Sequence, residues 1–254
     1  MKRIFIYSSM LVLLFSNYAT ISHAQVNGAN PYDEVGAQHN AIMNRFFTEY
    51  SKERVVKEQM TQQGLCQYAC TIFPASNCDI AKALTIDATA RAMQGMAPTE
   101  AAAYLASKGL VGSLFTDYVG KIDRSLTQHV GASYAPFHNT IVGIEAQVLA
   151  DTRLKEDERK ALLLTASVTR YSAKFWKDLN EGTTSYASIG QNAVNTSKDS
   201  INTIIRADCV GGILGGFLSW WTWDLEIFIK TTATASAVFS IAEAVRKFWN
   251  LFIR

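Results

Sequence analysis

Apolar residues recur three or four positions apart along most of this chain, the spacing that lines one face of a helix. Val35, His39, Ile42, Met43, Phe46 and Tyr50 form the first such series. It predicts a helix to about Met60 that opens with Asn30 as its cap, Pro31 at its first position and Asp33 at its third. Asp79–Gln94 reads as a second helix stopped by Gly95, and Pro98 opens a third that ends at Gly109. Residues 110–127 give a short helix weakened by Gly112 and Gly120, and Gly131 and Pro136 then break the chain ahead of Thr140–Ala150. The clearest series is Ala161, Leu164, Val168, Tyr171, Phe175 and Leu179, which predicts a helix over Asp157–Leu179 with Arg159, Lys160, Arg170, Lys174 and Lys177 on its other faces. Residues 181–198, rich in Gly, Ser, Thr and Asn, read as a long loop, and a last helix covers about Thr231–Ile253.

The pattern changes character once. Cys209 to Trp223 is fifteen residues without a charge, four of them glycine and three tryptophan, entered by a helix that starts near Asp199 or Ser200 and carries Asp208 into it. Gly211, Gly212, Gly215 and Gly216 fall on a narrow face as two overlapping pairs four apart, the spacing that lets helix backbones approach closely. Each glycine costs a helix about 1 kcal/mol against alanine, so a packing reason is expected, and the small-faced stretch Thr231–Ala237 is the expected neighbour. With few alternating segments and four prolines in the chain, the expected fold is all-α: an irregular or orthogonal bundle of about seven to nine helices around a buried Gly-rich helix.

The amino-terminal residues add a destination. Lys2 and Arg3, an apolar run from Ile4 to Phe15, and Ser22-His23-Ala24 have the layout of a secretory signal peptide, which leaves residues 25–254 as a single helical domain, exported to the periplasm or the extracellular space. Cys66, Cys70, Cys78 and Cys209 all follow the leader, and in an oxidising compartment four cysteines favour two disulfides. Three of them crowd into thirteen residues, so at least one bond is expected to run to Cys209, closing a loop worth about 5 kcal/mol of chain entropy. The spacing of Cys66, Cys70 and Cys78 fits no usual zinc motif.

Charge removes one class of partner. The chain has 24 Lys and Arg against 22 Asp and Glu, and the leader takes two of the basic residues, so the remainder has no basic excess to hold nucleic acid. Motifs for phosphate, dinucleotide, serine-hydrolase or His-Glu-x-x-His metal chemistry are absent, and the chain calls for no cofactor. His39 falls on an apolar helix face, where a hydrogen-bonded structural role outweighs a catalytic one. Asp208 enters an apolar stretch and needs a partner, for which Arg170, Arg206 or a helix N-terminus is available. Together with Asn40, the residues Asp33, His39, Arg170 and Asp208 make up the one candidate polar site, credible as a metal or acid-base centre only if they share a pocket.

The string Asn30-Pro31-Tyr32-Asp33, Gly36, His39-Asn40 resembles the start, after the signal peptide, of a group of exported Bacteroidota proteins without a known activity. Ala161-Leu162-Leu163, Ser167-Val168, Arg170-Tyr171-Ser172, Trp176 and the glycine-rich tail from Asp208 are similar to the same group. The likeness covers about a quarter of the chain. It implies export and a helical fold and brings no activity; Trp220, Trp221 and Trp223 stand where the group is richer in alanine and glycine.

Three modes of action follow as expectations. The first is an exported, disulfide-stabilised protein that works by binding a protein or a small ligand. The second is a membrane-active or membrane-anchored protein, bacteriocin-like, that inserts residues 201–253 as a hairpin. The uncharged run is shorter than the roughly 20 residues that span a bilayer, and Asp208, Asp224, Glu226 and Lys230 flank it. A hydrolase or metal protein built on Asp33, His39 and Asp208 is the third.

Overall fold

The computed structural model describes residues 27–51, 88–129, 134–181, 198–218 and 225–252, with side chains described through most of each segment. Among these residues the chain is all-helical, in eight helices and without a strand: α1 (Glu34–Ser51), α2 (Ala88–Met93), α3 (Pro98–Ser107), α4 (Ser113–His129), α5 (Tyr134–Ala150), α6 (Glu156–Asn180), α7 (Lys198–Leu218) and α8 (Leu225–Phe252). The leader, Cys66, Cys70, Cys78, the stretch 182–197 and Trp220, Trp221 and Trp223 lie outside the described residues.

Local chemistry sets most of the helix ends. Gly95 and Gly109 take φ of 79° and 70°, the left-handed geometry that stops α2 and α3. A carboxylate three residues in reaches back to the first free amide of two helices: Glu100 Oε2 accepts from Ala97 N at 2.8 Å, and Glu158 Oε2 from Lys155 N at 3.3 Å. Glu158 also accepts from Gly112 N at 2.7 Å through its other oxygen, joining the start of α6 to the turn before α4. Three boundaries differ from the sequence expectation. Pro136 lies in the first turn of α5, where its missing donor leaves no bond unmade, so it does not break that helix. Asn30 folds a turn over residues 31–33 ahead of α1, its Oδ1 accepting from Tyr32 N at 2.9 Å, in place of capping the helix itself. The last helix starts at Leu225, ahead of the expected Thr231.

The helices close into two rings that share one edge, the α6–α7 pair. On one side α1 packs on α6 and α8, and α8 packs on α7; on the other α5 packs on α6, α4 on α5, and α3 on α4 and α7. The shared position explains why α6 is buried on every side from Ala161 to Ser172, although its periodicity alone suggests a one-sided helix. Phe46, Phe47, Phe175 and Trp176 fill the α1–α6 contact, with Phe47 edge-on to Trp176 at 5.7 Å between ring centroids.

The shared edge is closer than side chains would permit. A Cβ on Gly211 would stand 2.5 Å from Ser236 Cα, and one on Gly215 2.5 Å from Thr232 Cα, so these two glycines rest against the α8 backbone. Gly212 and Gly216 face the opposite neighbour, their would-be Cβ atoms 3.2 Å from Thr165 Cα and 3.0 Å from Ala161 Cα on α6. Each four-residue pair of glycines therefore meets a four-residue pair of small residues on a different helix.

Gly211→Ala forces the α7 and α8 backbones apart and is expected to cost about 1–3 kcal/mol of unfolding free energy. Gly143→Ala, in α5 where nothing lies within 4 Å of the added methyl, is expected to gain up to about 1 kcal/mol. Urea unfolding of the two variants beside the parent chain checks both signs.

Candidate functional site

The segment 27–40 is pinned to α6 by buried hydrogen bonds that begin in its own turns. Asp33 Oδ2 accepts from Asn27 N at 3.1 Å, which folds the leading residues back over the start of α1. Ser167 Oγ donates to the Asp33 carbonyl at 2.9 Å and accepts from Gly36 N at 3.2 Å. A side chain on Gly36 would run into Ser167 Oγ and the Tyr171 ring, so the glycine is what allows α1 to seat there.

Two polar clusters grow from this seat. In the first, Arg170 is fully buried and bridges two carboxylates: it pairs with Asp33 and donates to Glu145 Oε1 from Nε at 3.3 Å and Nη2 at 3.2 Å. Glu145, also fully buried, accepts from Asn30 Nδ2 at 2.7 Å and Asn27 Nδ2 at 2.6 Å, and Tyr171 OH donates to Asp33 Oδ2 at 3.1 Å. Burial alone would lower the Arg170 pKa; the Glu145 and Asp33 carboxylates outweigh it and raise the value, so the guanidinium stays charged. Burial, then the Asp33 charge, pushes the Tyr171 phenol well above its ordinary range.

In the second cluster His39 Nε2 lies 3.1 Å from Asp208 Oδ1, both side chains fully buried, and Ser172 Oγ donates to Asp208 Oδ2. The other ring nitrogen, Nδ1, faces Asn40 Oδ1 at 3.0 Å. Asn40 is oriented by its Nδ2, which donates to the Tyr171 carbonyl at 2.9 Å, so its Oδ1 is turned to accept from Nδ1 of His39. Serine, histidine and aspartate are the residue types of a nucleophilic triad, but here the carboxylate sits between hydroxyl and imidazole. A triad needs the imidazole in that place to take the hydroxyl proton.

The structure thus joins His39, Asn40 and Asp208 in one cluster and Asp33 with Arg170 in the other, linked through the consecutive residues Arg170, Tyr171 and Ser172. Neither cation expected to pair with Asp208 does so. Arg170 is taken by Asp33 and Glu145, and Arg206 forks onto Asp123 on α4 at 2.7 and 2.8 Å, an acid that Thr99 also reaches at 3.2 Å. Among the described residues no three His, Cys, Asp or Glu side chains are grouped to hold a metal ion. Glu145 and Asp123 carry no mark in the sequence as site residues, and Ser167 and Ser172 enter it only through the resemblance. Glu145 had a signal of burial, since it falls four residues after Ile141 and three before Val148 in the buried series of α5.

Cys209 corrects an expectation outright. It is a free, fully buried thiol, so no bridge runs to it from the cysteine cluster at 66–78. Burial pushes this thiol up to about 12. Cys209 is therefore expected to resist a thiol reagent at neutral pH in the native chain and to react once urea unfolds it, as a mass-labelling time course would read. Removal of the shared cation by Arg170→Ala leaves Glu145 and Asp33 without it, and should destabilise the fold by about 3–5 kcal/mol in the same urea assay.

No protein-family model matches the chain, and neither a curated protein nor a solved structure matches it.

Proposed function

We propose that this chain is an exported helical protein that acts by binding a partner, with its reactive side chains serving the fold. The observation that carries the reading is the enclosure of His39, Asp208 and Ser172, which have no exposed surface and use their polar atoms on one another. A substrate needs a group it can touch, and these three are covered by α1, α6 and α7. Export rests on the leader layout of residues 1–24, which carries the same expectation for periplasm or extracellular space. The bundle is irregular and organised on the α6–α7 edge, and this reading keeps one disulfide among Cys66, Cys70 and Cys78, which an oxidising compartment favours.

A second reading, insertion of residues 201–253 into a bilayer, is favoured by one observation. Ile201–Leu218 is long and apolar enough to cross a membrane, with 61% of that window buried inside the fold. The backbone contacts of Gly211 and Gly215 with α8, and of Gly212 and Gly216 with α6, support the core role over this one.

Fractionation of cells that produce the full chain separates the readings. The expected result is a soluble exported protein beginning at Gln25 that stays at the bottom of a liposome flotation gradient. Flotation with vesicles would replace the first reading by the second, and retention inside the cell in unprocessed form would remove export. Denatured and alkylated without reductant, the exported chain should show two free thiols, Cys209 and one of the three clustered cysteines.

A further inference from the structure

Helix α4 carries a glycine that the packing does not explain. Gly120 is buried in the interior of a seventeen-residue helix, a position where glycine is unfavourable relative to alanine. A Cβ at each of the four α7 glycines would stand within 3.2 Å of a neighbouring backbone atom, but at Gly120 it would meet only Arg124 Nη1, at 3.6 Å. The room that Gly120 leaves belongs to a cavity of about 430 Å³ between α4 and the turn from α5 to α6, lined among others by Leu114, Tyr118, Lys121, Arg124 and Arg153. That volume lies in the range of roughly 300–1,000 Å³ that small-molecule sites occupy.

The lining is cationic in effect. Three basic side chains, Lys121, Arg124 and Arg153, stand against two acids, Asp117 and Asp151. Asp151 is saturated: Arg153 grips it through Nε at 2.9 Å and Nη2 at 2.8 Å, and Tyr118 OH donates to it at 3.1 Å. Those bonds, led by the Arg153 side chain, hold its carboxyl far below the usual carboxylate range. Lys121 is positioned by Gln147 Oε1 at 2.8 Å and lies over the Tyr118 ring at 4.2 Å from its centroid. Arg124 is different, because among the described residues it makes no hydrogen bond or ion pair and its guanidinium hangs over Gly120.

We propose that this cavity binds a small organic anion, with its charged head against Arg124 and Lys121 and its apolar body against Leu114 and Tyr118. A planar guanidinium with open donors suits a carboxylate or phosphate, and with Arg153 and Asp151 paired to each other, Lys121 and Arg124 still outnumber Asp117 in the same lining. Gly120 supplies the floor, since a methyl there would project toward the Arg124 head and shrink the space. The inference gives the binding reading a site and a ligand class, and it can fail without touching that reading, whose own test is cell fractionation and flotation.

Titration of the full exported chain with phenyl phosphate, benzoate and the uncharged benzyl alcohol, followed by heteronuclear NMR shifts or calorimetry, tests it. At least one of the two anions should saturate the chain below millimolar concentration, with benzyl alcohol weaker by tenfold or more. Arg124→Ala, an exposed change that spares the core, should weaken the anion at least tenfold. Gly120→Ala should weaken it as well while raising the urea midpoint, a combination that a damaged fold would not give. Binding of neither anion, equal binding of benzyl alcohol, or affinity unchanged in Arg124→Ala or in Gly120→Ala would each overturn the assignment.

Discussion

At Gly211 and Gly215 the backbone of α7 rests on that of α8, and at Gly212 and Gly216 on that of α6, with no side chain between. The rest of the architecture depends on this double approach. Two rings of helices can share a single edge only if the helices that form it are thin, and a helix is thinnest where glycine faces alanine, serine or threonine. Four helical glycines forfeit about 4 kcal/mol of helix propensity. Dispersion between closely apposed backbones, each atom pair worth only about 0.1–0.2 kcal/mol, must recover it through number. That demand makes the contact intolerant of any added atom.

In so dense a centre the buried charged side chains of α6 and α7 are met by protein partners. Ser172 and His39 serve Asp208; Glu145 and Asp33 serve Arg170. Buried charges of this kind add little net stability against a well-packed apolar replacement, yet leaving one unpaired is costly. Their effect here is on register. Asn27, Asn30, Asp33, Gly36, His39 and Asn40 each bond into α6, α5 or α7, so a slide of α1 along α6 by one turn would orphan several groups at once. The same enclosure that fixes the fold withdraws these residues from catalysis.

Arg170 shows where a sequence reading stops. Periodicity over α6 places the arginine off the apolar stripe, which on a one-sided helix means solvent, and the helix is instead enclosed on all sides because two rings meet on it. Asp208 was legible as a buried acid from the apolar run it enters, while its partners were not, since His39 lies 169 positions away and Arg206, near it in the chain, is held by Asp123 on α4. Cys209 fails for a related reason. An even cysteine count favours pairing in an oxidising compartment, but which sulfurs meet is set by packing between distant segments, and Cys209 is buried with its thiol free.

What the sequence determined by itself was helix content, several helix ends and the presence of glycine pairs built for close approach, because periodicity, capping residues and glycine spacing act within a few turns of chain. Which helix each glycine pair would touch, which acid each cation would hold, and that a buried glycine at position 120 would leave room for a cavity beside Arg124 were decided only in three dimensions. Those outcomes depend on distances between segments far apart in the chain, and burial sets their energies by removing the water that would otherwise make every pairing nearly equivalent.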